Sequence, residues 1–376
     1  MNKELKKTVR RLDLIRGILI LTLILYFVVA LVINSSYLSV DRLMRLQANV
    51  SYALGSFDET AVYDPDEAVD VQIFQDGYVL LTRNGVTVCG PDGNIYSSQT
   101  LQYKNPCMKV CGKYILCFDR GGTSWSLMNS FRVLCSGTEK ADIINGAVCD
   151  DGYFAIAAER TEYKGCVTVY NTSGTDLSRW NSDSYLLDSF FTSKNRLTVV
   201  SVASEREKTH TVFTVFNYKK PEAEASVAAT DTFPLALRGK SNGDVEMFTS
   251  AGVATFDGEK ILTRFSYPEP SPGLYCQSED GSMISYQTLS GNLLVQGISR
   301  KGEAVFEKEV PSLLSLACCG GYYYLLTETT LTVLDGGGET VLEQESAGAS
   351  GVLVSPEAAF LLDSNGLRRL DLSALP

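Results

Sequence analysis

Residues 71–99 read VQIFQDGYVLLTRNGVTVCGPDGNIYSSQ, and this stretch decides the fold. It contains four short runs of mainly β-branched and apolar residues, VQIF, YVLLT, VTVC and NIYSS, separated by turns of Asp, Asn, Gly and Pro. Such runs between turn signals are typical of β-strands. Four strands joined by tight turns predict an antiparallel meander, which is one blade of a β-propeller.

The same plan recurs along the chain at intervals of about 40 residues. Residues 313–343 repeat it in full, and a degenerate copy is centred near Glu357. The intermediate copies are centred on the turn residues Gly112, Gly152, Asn195, Gly243 and Gly281. A period of this length with four strands per repeat is typical of propellers. The count predicts an all-β, eight-bladed propeller, with a seven-bladed ring as the alternative.

The last repeat supplies only three strand-like runs, VLVS, AAFLL and LRRLDL. An open ring would leave unpaired sheet edges, which favour aggregation. The run NVSYAL (49–54) precedes the first blade and has no other assignment. We therefore expect residues 49–54 to pair with the last blade as its missing outer strand.

The N-terminal region predicts a membrane anchor. Residues 17–33 are apolar apart from Thr22, and no formal charge occurs between Arg16 and Asp41. The 21 residues 17–37 are long enough to cross a ~30 Å hydrocarbon core, and no small-residue cleavage site of a signal peptide follows them. Six cations in residues 1–16 place that flank in the cytoplasm: Lys3, Lys6, Lys7, Arg10, Arg11 and Arg16.

Residues 39–48 (SVDRLMRLQA) have apolar residues at helical spacing and predict a short helical stalk. The predicted organisation is a cytoplasmic tail (1–16), a transmembrane helix (17–37), a stalk (38–48) and a propeller (49–376). This order places the propeller outside the cytoplasm, at the cell membrane.

A basic N-terminus, one transmembrane helix, a D-R-L-M-R-L stalk and repeated D-G-Y units resemble a family of membrane-anchored propellers from Gram-positive anaerobes, domain of unknown function 5711. The D-G-Y units are residues 76–78 and 151–153. The resemblance implies a propeller over nearly the whole chain, and it implies no activity and no catalytic residues.

Charge and cysteine content restrict the function further. The net charge is −11, and because residues 1–16 carry a positive balance, the rest is still more acidic. An acidic body lacks the clustered Lys and Arg that nucleic-acid binding needs, so no nucleic-acid partner is expected. Most of the ten cysteines lie in apolar runs, as Cys117, Cys166 and Cys276 do, and we expect free thiols packed as small hydrophobic residues.

The sequence singles out no catalytic, cofactor-binding or metal-binding residue. The only histidine, His210, flanks a turn and is interpreted as a surface residue. The adjacent Cys318 and Cys319 invite comparison with the vicinal disulfide of some quinone-dependent propellers, but neighbouring strand residues point to opposite faces. We therefore expect both to pack separately, and we expect no cofactor.

Three further segments have a structural interpretation. Residues 64–67, with Asp70 after them, lack the ligand spacing of a calcium loop and are interpreted as a solvated linker. The triplet 322–324 (YYY) is expected to pack in the core and at its rim. Residues 219–229 (KKPEAEASVAA) interrupt the strand pattern and predict an exposed loop.

Two classes of function remain. The favoured one is a membrane-tethered binding or scaffolding module with a protein or cell-envelope partner. The alternative is a surface hydrolase that acts on glycan or peptide through paired carboxylates, because propellers also carry such enzymes.

Overall fold

The computed structural model describes residues 16–17, 20–22, 40–54, 63–64, 66–193, 195–205, 208–220, 222–230, 232–240, 242–267, 272–356, 359–363 and 366–370. The chain divides into two compact units, residues 1–57 and 58–376. The predicted cytoplasmic tail and nearly all of the predicted transmembrane helix lie outside the described residues. Among the residues that are described, no helix combines the length and the apolar character needed to cross a bilayer.

The first unit contains helix α1, Val40–Ala53, with Asp41 in its first turn. This confirms the predicted helix over most of the stalk. The helix continues through residues 49–53, so the prediction of a strand at 49–54 is wrong. Extending an existing helix adds one local hydrogen bond for each residue that is fixed, whereas a strand needs a distant partner.

In the described residues of the second unit, 31 strands form eight separate sheets. Each sheet is an antiparallel meander of consecutive strands. The strands are Ala68–Phe74, Gly77–Thr82, Gly85–Cys89 and Ile95–Thr100 in blade 1 (β1–β4); Pro106–Cys111, Tyr114–Asp119, Ser124–Met128 and Val133–Thr138 in blade 2 (β5–β8); Ile143–Val148, Phe154–Arg160, Tyr163–Tyr170 and Asp176–Ser182 in blade 3 (β9–β12); and Tyr185–Ser193, Arg196–Glu205, Lys208–Asn217 and Ala223–Thr230 in blade 4 (β13–β16).

The second half of the ring continues the same plan. Its strands are Pro234–Gly239, Val245–Thr249, Gly252–Phe256 and Ile261–Ser266 in blade 5 (β17–β20); Pro272–Gln277, Gly281–Gln287, Leu293–Ser299 and Ala304–Val310 in blade 6 (β21–β24); Ser315–Cys319, Tyr322–Leu326, Thr330–Leu334 and Thr340–Glu345 in blade 7 (β25–β28); and Ala349–Val354, Ala359–Asp363 and Gly366–Arg369 in blade 8 (β29–β31). The prediction of an eight-bladed propeller is confirmed.

The first strand of a blade contacts the first strand of the next, as β1, β5, β9, β13 and β17 do in turn. These inner strands therefore line a central channel. The fourth strands lie outermost and alternate between exposed and half-buried residues, as β16 shows. The hydrophobic core lies between neighbouring blades, and its largest buried side chains include Phe118, Phe213 and Phe256.

The predicted turn residues lie in or beside the hairpin between the first and second strands of their blades. Gly243 has φ 97°, and Asn195 takes the same role in blade 4 with φ 65°. Asn tolerates this left-handed conformation better than most residues with a Cβ atom. The repeat predicted near Glu357 is centred on a position outside the described residues.

Blade 8 contributes three strands in the described residues, as predicted, and packs against blade 1. The rings of Tyr78 and Phe360 meet edge to face with centroids 5.5 Å apart, and both are buried. Arg369 and Asp92 add an ion pair at 3.9 Å across the same junction. Side-chain packing thus joins the two ends of the ring, in place of the strand expected from residues 49–54.

The segment 219–229 also differs from expectation, because Ala223–Thr230 is the outer strand β16. Its alternation of Glu, Ser and Ala gives the period of two that a half-exposed strand needs. Low β-propensity of Ala and Glu concealed this pattern, and the prediction of a loop across residues 223–229 is wrong.

Candidate functional site at one end of the propeller

The strand count decides which residues share one end of the propeller. After four antiparallel strands, the chain is back at the end of the ring where the first strand of that blade began. Each inner strand therefore begins at the same end of the ring, where the turns between second and third strands also lie. We call this end the entry face and the other end the exit face.

The entry face carries exposed apolar side chains from several blades. The most exposed are Leu289, in a turn of blade 6, at 92% and Tyr185, at the start of blade 4, at 61%. We call the whole set the apolar rim; its members are Val69, Tyr163, Tyr185, Phe233, Leu235, Leu274, Tyr275, Leu289 and Leu314. Exposed apolar side chains that cluster are typical of interaction sites, whereas scattered ones need no explanation.

Two aromatic residues of the rim are held in place by neighbours. Lys164 Nζ donates a hydrogen bond to Tyr185 Oη at 3.1 Å and lies 4.8 Å from the centre of its ring. Tyr275 stacks on Phe248 with ring centroids 4.5 Å apart. Side chains that are already ordered lose little entropy when a partner binds.

A cavity of about 210 Å³ opens beside the rim in blade 5. Phe233, Met247, Val253 and Phe265 form its apolar wall, and the turn at residues 249–252 supplies polar groups. This cavity could accept an apolar side chain of a partner.

Inside the channel lie charged side chains from nonadjacent blades. Lys109 Nζ on β5 is 3.3 Å from Asp188 Oδ2 on β13. Gln72 Nε2 on β1 donates to Asp70 Oδ2 at 2.7 Å. We call Asp70, Gln72, Lys109 and Asp188 the channel cluster.

Burial dominates the electrostatics of the channel cluster. It raises the pKa of Asp188 above the ordinary aspartate value, although the charge of Lys109 opposes this shift. Burial also raises the pKa of Asp70, against the hydrogen bond from Gln72 and the more distant charge of Lys109. Both carboxyl groups therefore retain a proton to higher pH than a solvated aspartate.

Of the residues considered from sequence, Asp70 belongs to this cluster, because it lies on strand β1 and accepts from Gln72 instead of forming part of a solvated linker. The others lie elsewhere. His210 flanks the turn before β15, where it pairs with Ala203 and Thr230, but it is half-buried instead of lying on the surface as expected. Asp64 accepts a hydrogen bond from the Asp66 backbone N–H in the turn before β1. Within the described ranges, no group of three or more His, Cys, Asp or Glu side chains is placed to hold a metal ion.

Cys318 and Cys319 are consecutive residues of the regular strand β25 and so point to opposite faces of it. Cys318 joins the core toward blade 6 with Tyr323, whose Oη donates to the Ile298 carbonyl at 3.2 Å. Tyr322 and Tyr324 instead pack toward blade 8. The expected packing of the tyrosine triplet is confirmed.

Sequence reasoning missed both the apolar rim and the channel cluster. A signal for the cluster was present, because Asp70, Lys109 and Asp188 each place a charge at the third or fourth position of an apolar first strand. Once the period is known, a charge at that position of an inner strand points into or beside the channel.

Comparisons with known proteins agree with this fold. The WD40 domain of SCAP from fission yeast superposes with a TM-score of 0.55 at 8% identity, covering 82% of this chain and 93% of that one. Apo AztD from Citrobacter koseri gives 0.51 at 10% identity, covering 81% and 92%. A eukaryotic initiation factor gives 0.50 at 12% identity, covering 82% and 85%. These likenesses concern the fold alone.

No curated protein sequence matches the chain. The model of one protein family matches residues 54–268, which is more than half of the 376 residues. The chain therefore belongs to the family of unknown function DUF5711.

Proposed function

We propose that the protein is a binding module whose entry face docks a protein partner. The observation that carries this proposal is the apolar rim, in which the exposed rings of Tyr185 and Tyr275 are already ordered by Lys164 and Phe248. Aromatic residues that need no reordering are the usual anchors of protein interfaces. The cavity beside Phe233 offers a complementary pocket for one side chain of the partner.

A protein fits this face better than a lipid surface. The chain carries a net charge of −11, and anionic lipid headgroups repel an acidic body. Acidic groups in the channel, Asp70 and Asp188, would instead complement basic groups of a protein that covers the mouth.

We further propose that residues 17–37 cross the membrane once, with residues 1–16 in the cytoplasm and the propeller outside. The uncharged apolar stretch and its basic flank support this topology. Protease added to intact cells stripped of their wall should degrade the propeller and spare the N-terminal tail. Protection of the propeller until the membrane is lysed would contradict the orientation.

Photo-crosslinking in cells tests the docking proposal directly. A photoreactive amino acid at Phe233 or Tyr275 should capture one defined protein, identified by mass spectrometry. Leu177 and Val133 are matched controls, because they are exposed to 41% and 39% but lie on the outer strands β12 and β8. The same products from all four positions would refute a specific entry face.

The identified partner then allows a quantitative test. Truncating Tyr275 to Ser should weaken its binding at least tenfold, since an aromatic anchor contributes ~2 kcal/mol or more. Leu177→Ser should leave the dissociation constant unchanged. Equal effects of the two substitutions would argue against the rim.

A second candidate is a hydrolase that uses Asp70 and Asp188. It is favoured by the raised pKa of both carboxyl groups in the channel, since a general acid must hold its proton near neutral pH. Asp188→Asn should then abolish hydrolysis of cell-wall glycan or peptide while partner binding persists. Unchanged hydrolysis in both Asp→Asn variants would eliminate this candidate.

A further inference from the structure

Two cysteines meet across the junction of blades 6 and 7. Cys276 lies on inner strand β21 and Cys318 on inner strand β25, and their Sγ atoms are 3.5 Å apart. Cys318 Sγ also donates to the Gly281 carbonyl at 3.3 Å. A disulfide bond is ~2.05 Å long, so a closure of roughly 1.5 Å would join the two sulfur atoms.

The surroundings favour one thiolate within this pair. Arg238 Nη1 donates to the Gln277 carbonyl at 2.6 Å and so fixes a positive charge beside Cys276. Hydrogen bonds from Cys276 and Ser278 lower the pKa of Cys318, although burial of Cys318 opposes this shift. Burial raises the pKa of Cys276. Glu246 opposes ionisation of Cys318, and Arg238 favours it.

Access to the pair is limited. Cys276 is half-buried, whereas Cys318 is only 7% exposed. A small oxidant can reach such a site more readily than a bulky disulfide reagent. Cys319 follows Cys318 directly in β25, where consecutive side chains point to opposite faces, so it cannot compete for Cys318 without a rearrangement of the strand.

We propose that Cys276 and Cys318 are a redox-active pair that closes into an interblade disulfide when a hydroperoxide oxidises it. The Cys318 thiolate attacks one peroxide oxygen, which breaks the O–O bond, gives a sulfenic acid and releases the other oxygen after protonation as water, or as an alcohol from an organic hydroperoxide. The sulfur of the Cys276 thiol then attacks the Cys318 sulfur, and its proton leaves with the expelled hydroxyl group as a second water. The two thiols lose two electrons and two protons, and with hydrogen peroxide the only other product is water.

The bond would link two inner strands that are otherwise held by packing and hydrogen bonds. It encloses residues 276–318 and therefore restricts the unfolded chain. We expect the oxidised protein to melt roughly 5 °C higher than the reduced protein. Dithiothreitol should reverse the shift, because the bond is reducible.

The experiment uses the full chain in detergent, reduced and then treated with a small molar excess of hydrogen peroxide. After alkylation and digestion without reduction, mass spectrometry should find a peptide with Cys276 bonded to Cys318, and two of the ten thiols should be lost. Cys111→Ser is the matched control, since Cys111 also lies in an inner strand but donates to Asp150 Oδ1 at 3.2 Å. This control should form the same bond.

The variant Cys276→Ser should stop at a sulfenic acid on Cys318, which dimedone traps, and its melting point should no longer respond to peroxide. Cys276→Ala provides a second test if the Ser variant folds poorly. Retention of all ten thiols in the native protein would overturn the proposal. A bond between Cys318 and Cys319, or oxidation confined to Cys319, would overturn it equally.

Discussion

Lys109 on the second blade reaches Asp188 on the fourth, with 3.3 Å between Nζ and Oδ2, and so links two blades that are not neighbours. The register of β13 with its partner strand β14 shifts between Leu186 and Asp188, so Asp188 lies at a β-bulge. A bulge of this kind redirects a side chain away from the regular alternation. The ion pair thus depends on a local irregularity as well as on the ring.

Replacing Asp188 by Asn should change how stability depends on pH. The raised pKa means that the folded state binds the proton more tightly than the unfolded state. The free energy of unfolding of the wild type should therefore fall, relative to Asp188→Asn, as pH rises from the ordinary aspartate pKa through the raised pKa of Asp188 in the folded state. Urea denaturation of both proteins between about pH 3 and 7 measures this difference.

Asp257 supplies a control of opposite sign. Backbone hydrogen bonds from Lys260 and Glu259 lower its pKa, so its contribution is present above the ordinary value and is lost as pH falls. Asp257→Asn should therefore lose stability relative to wild type as pH rises. A parallel pH dependence in the two variants would contradict the assignment for Asp188.

The buried ion pair between Lys240 and Glu246 predicts strong coupling. Their side chains are 6% and 4% exposed, and Ser282 Oγ donates to the second carboxylate oxygen. Lys240→Met leaves a buried carboxylate without its cation, so it should lower the free energy of unfolding by about 3–5 kcal/mol. The double variant Lys240→Met with Glu246→Gln should recover much of this loss, because the remaining amide is neutral. A double-mutant cycle by urea denaturation measures the coupling, and additive losses would contradict it.

At Asn195, in the turn of blade 4, we expect stability to depend on the backbone conformation. Its φ of 65° costs a residue with a β-branched side chain roughly 1–2 kcal/mol, whereas Gly adopts it without strain. Asn195→Val should lower the free energy of unfolding by about this amount, and Asn195→Gly should change it little. Equal losses in the two variants would show that the Asn side chain, rather than the backbone conformation, is what matters.

Much of the ring was predictable because its signals are local. Turn residues such as Gly112, Gly152 and Asn195 mark each hairpin by their conformational demands, and the period of the repeats gives the blade count. The role of 49–54 was not predictable in this way, because a short apolar run is compatible with either a helix or a strand. The contact between Lys109 and Asp188 also depends on which strands lie across the channel, and this is a property of the closed ring.

The junction of blades 8 and 1 gives the last prediction. Phe360 is 1% exposed and meets Tyr78 edge to face, so Phe360→Ala should lower the free energy of unfolding by about 3–5 kcal/mol through lost burial and a cavity.

Since residues 49–53 are helical, they should not be needed as a strand of blade 8. Deletion of residues 1–38 and deletion of residues 1–56 should therefore yield propellers that melt within roughly 2 °C of each other. Phe360→Ala in either background should melt lower and expose blade 8 to proteolysis, because the junction is the one place where chain continuity does not hold neighbouring blades together. Calorimetry and limited proteolysis of these variants measure both effects. If deletion to residue 56 alone caused aggregation while Phe360→Ala did not, ring closure would depend on the N-terminal segment instead of the contact between Tyr78 and Phe360.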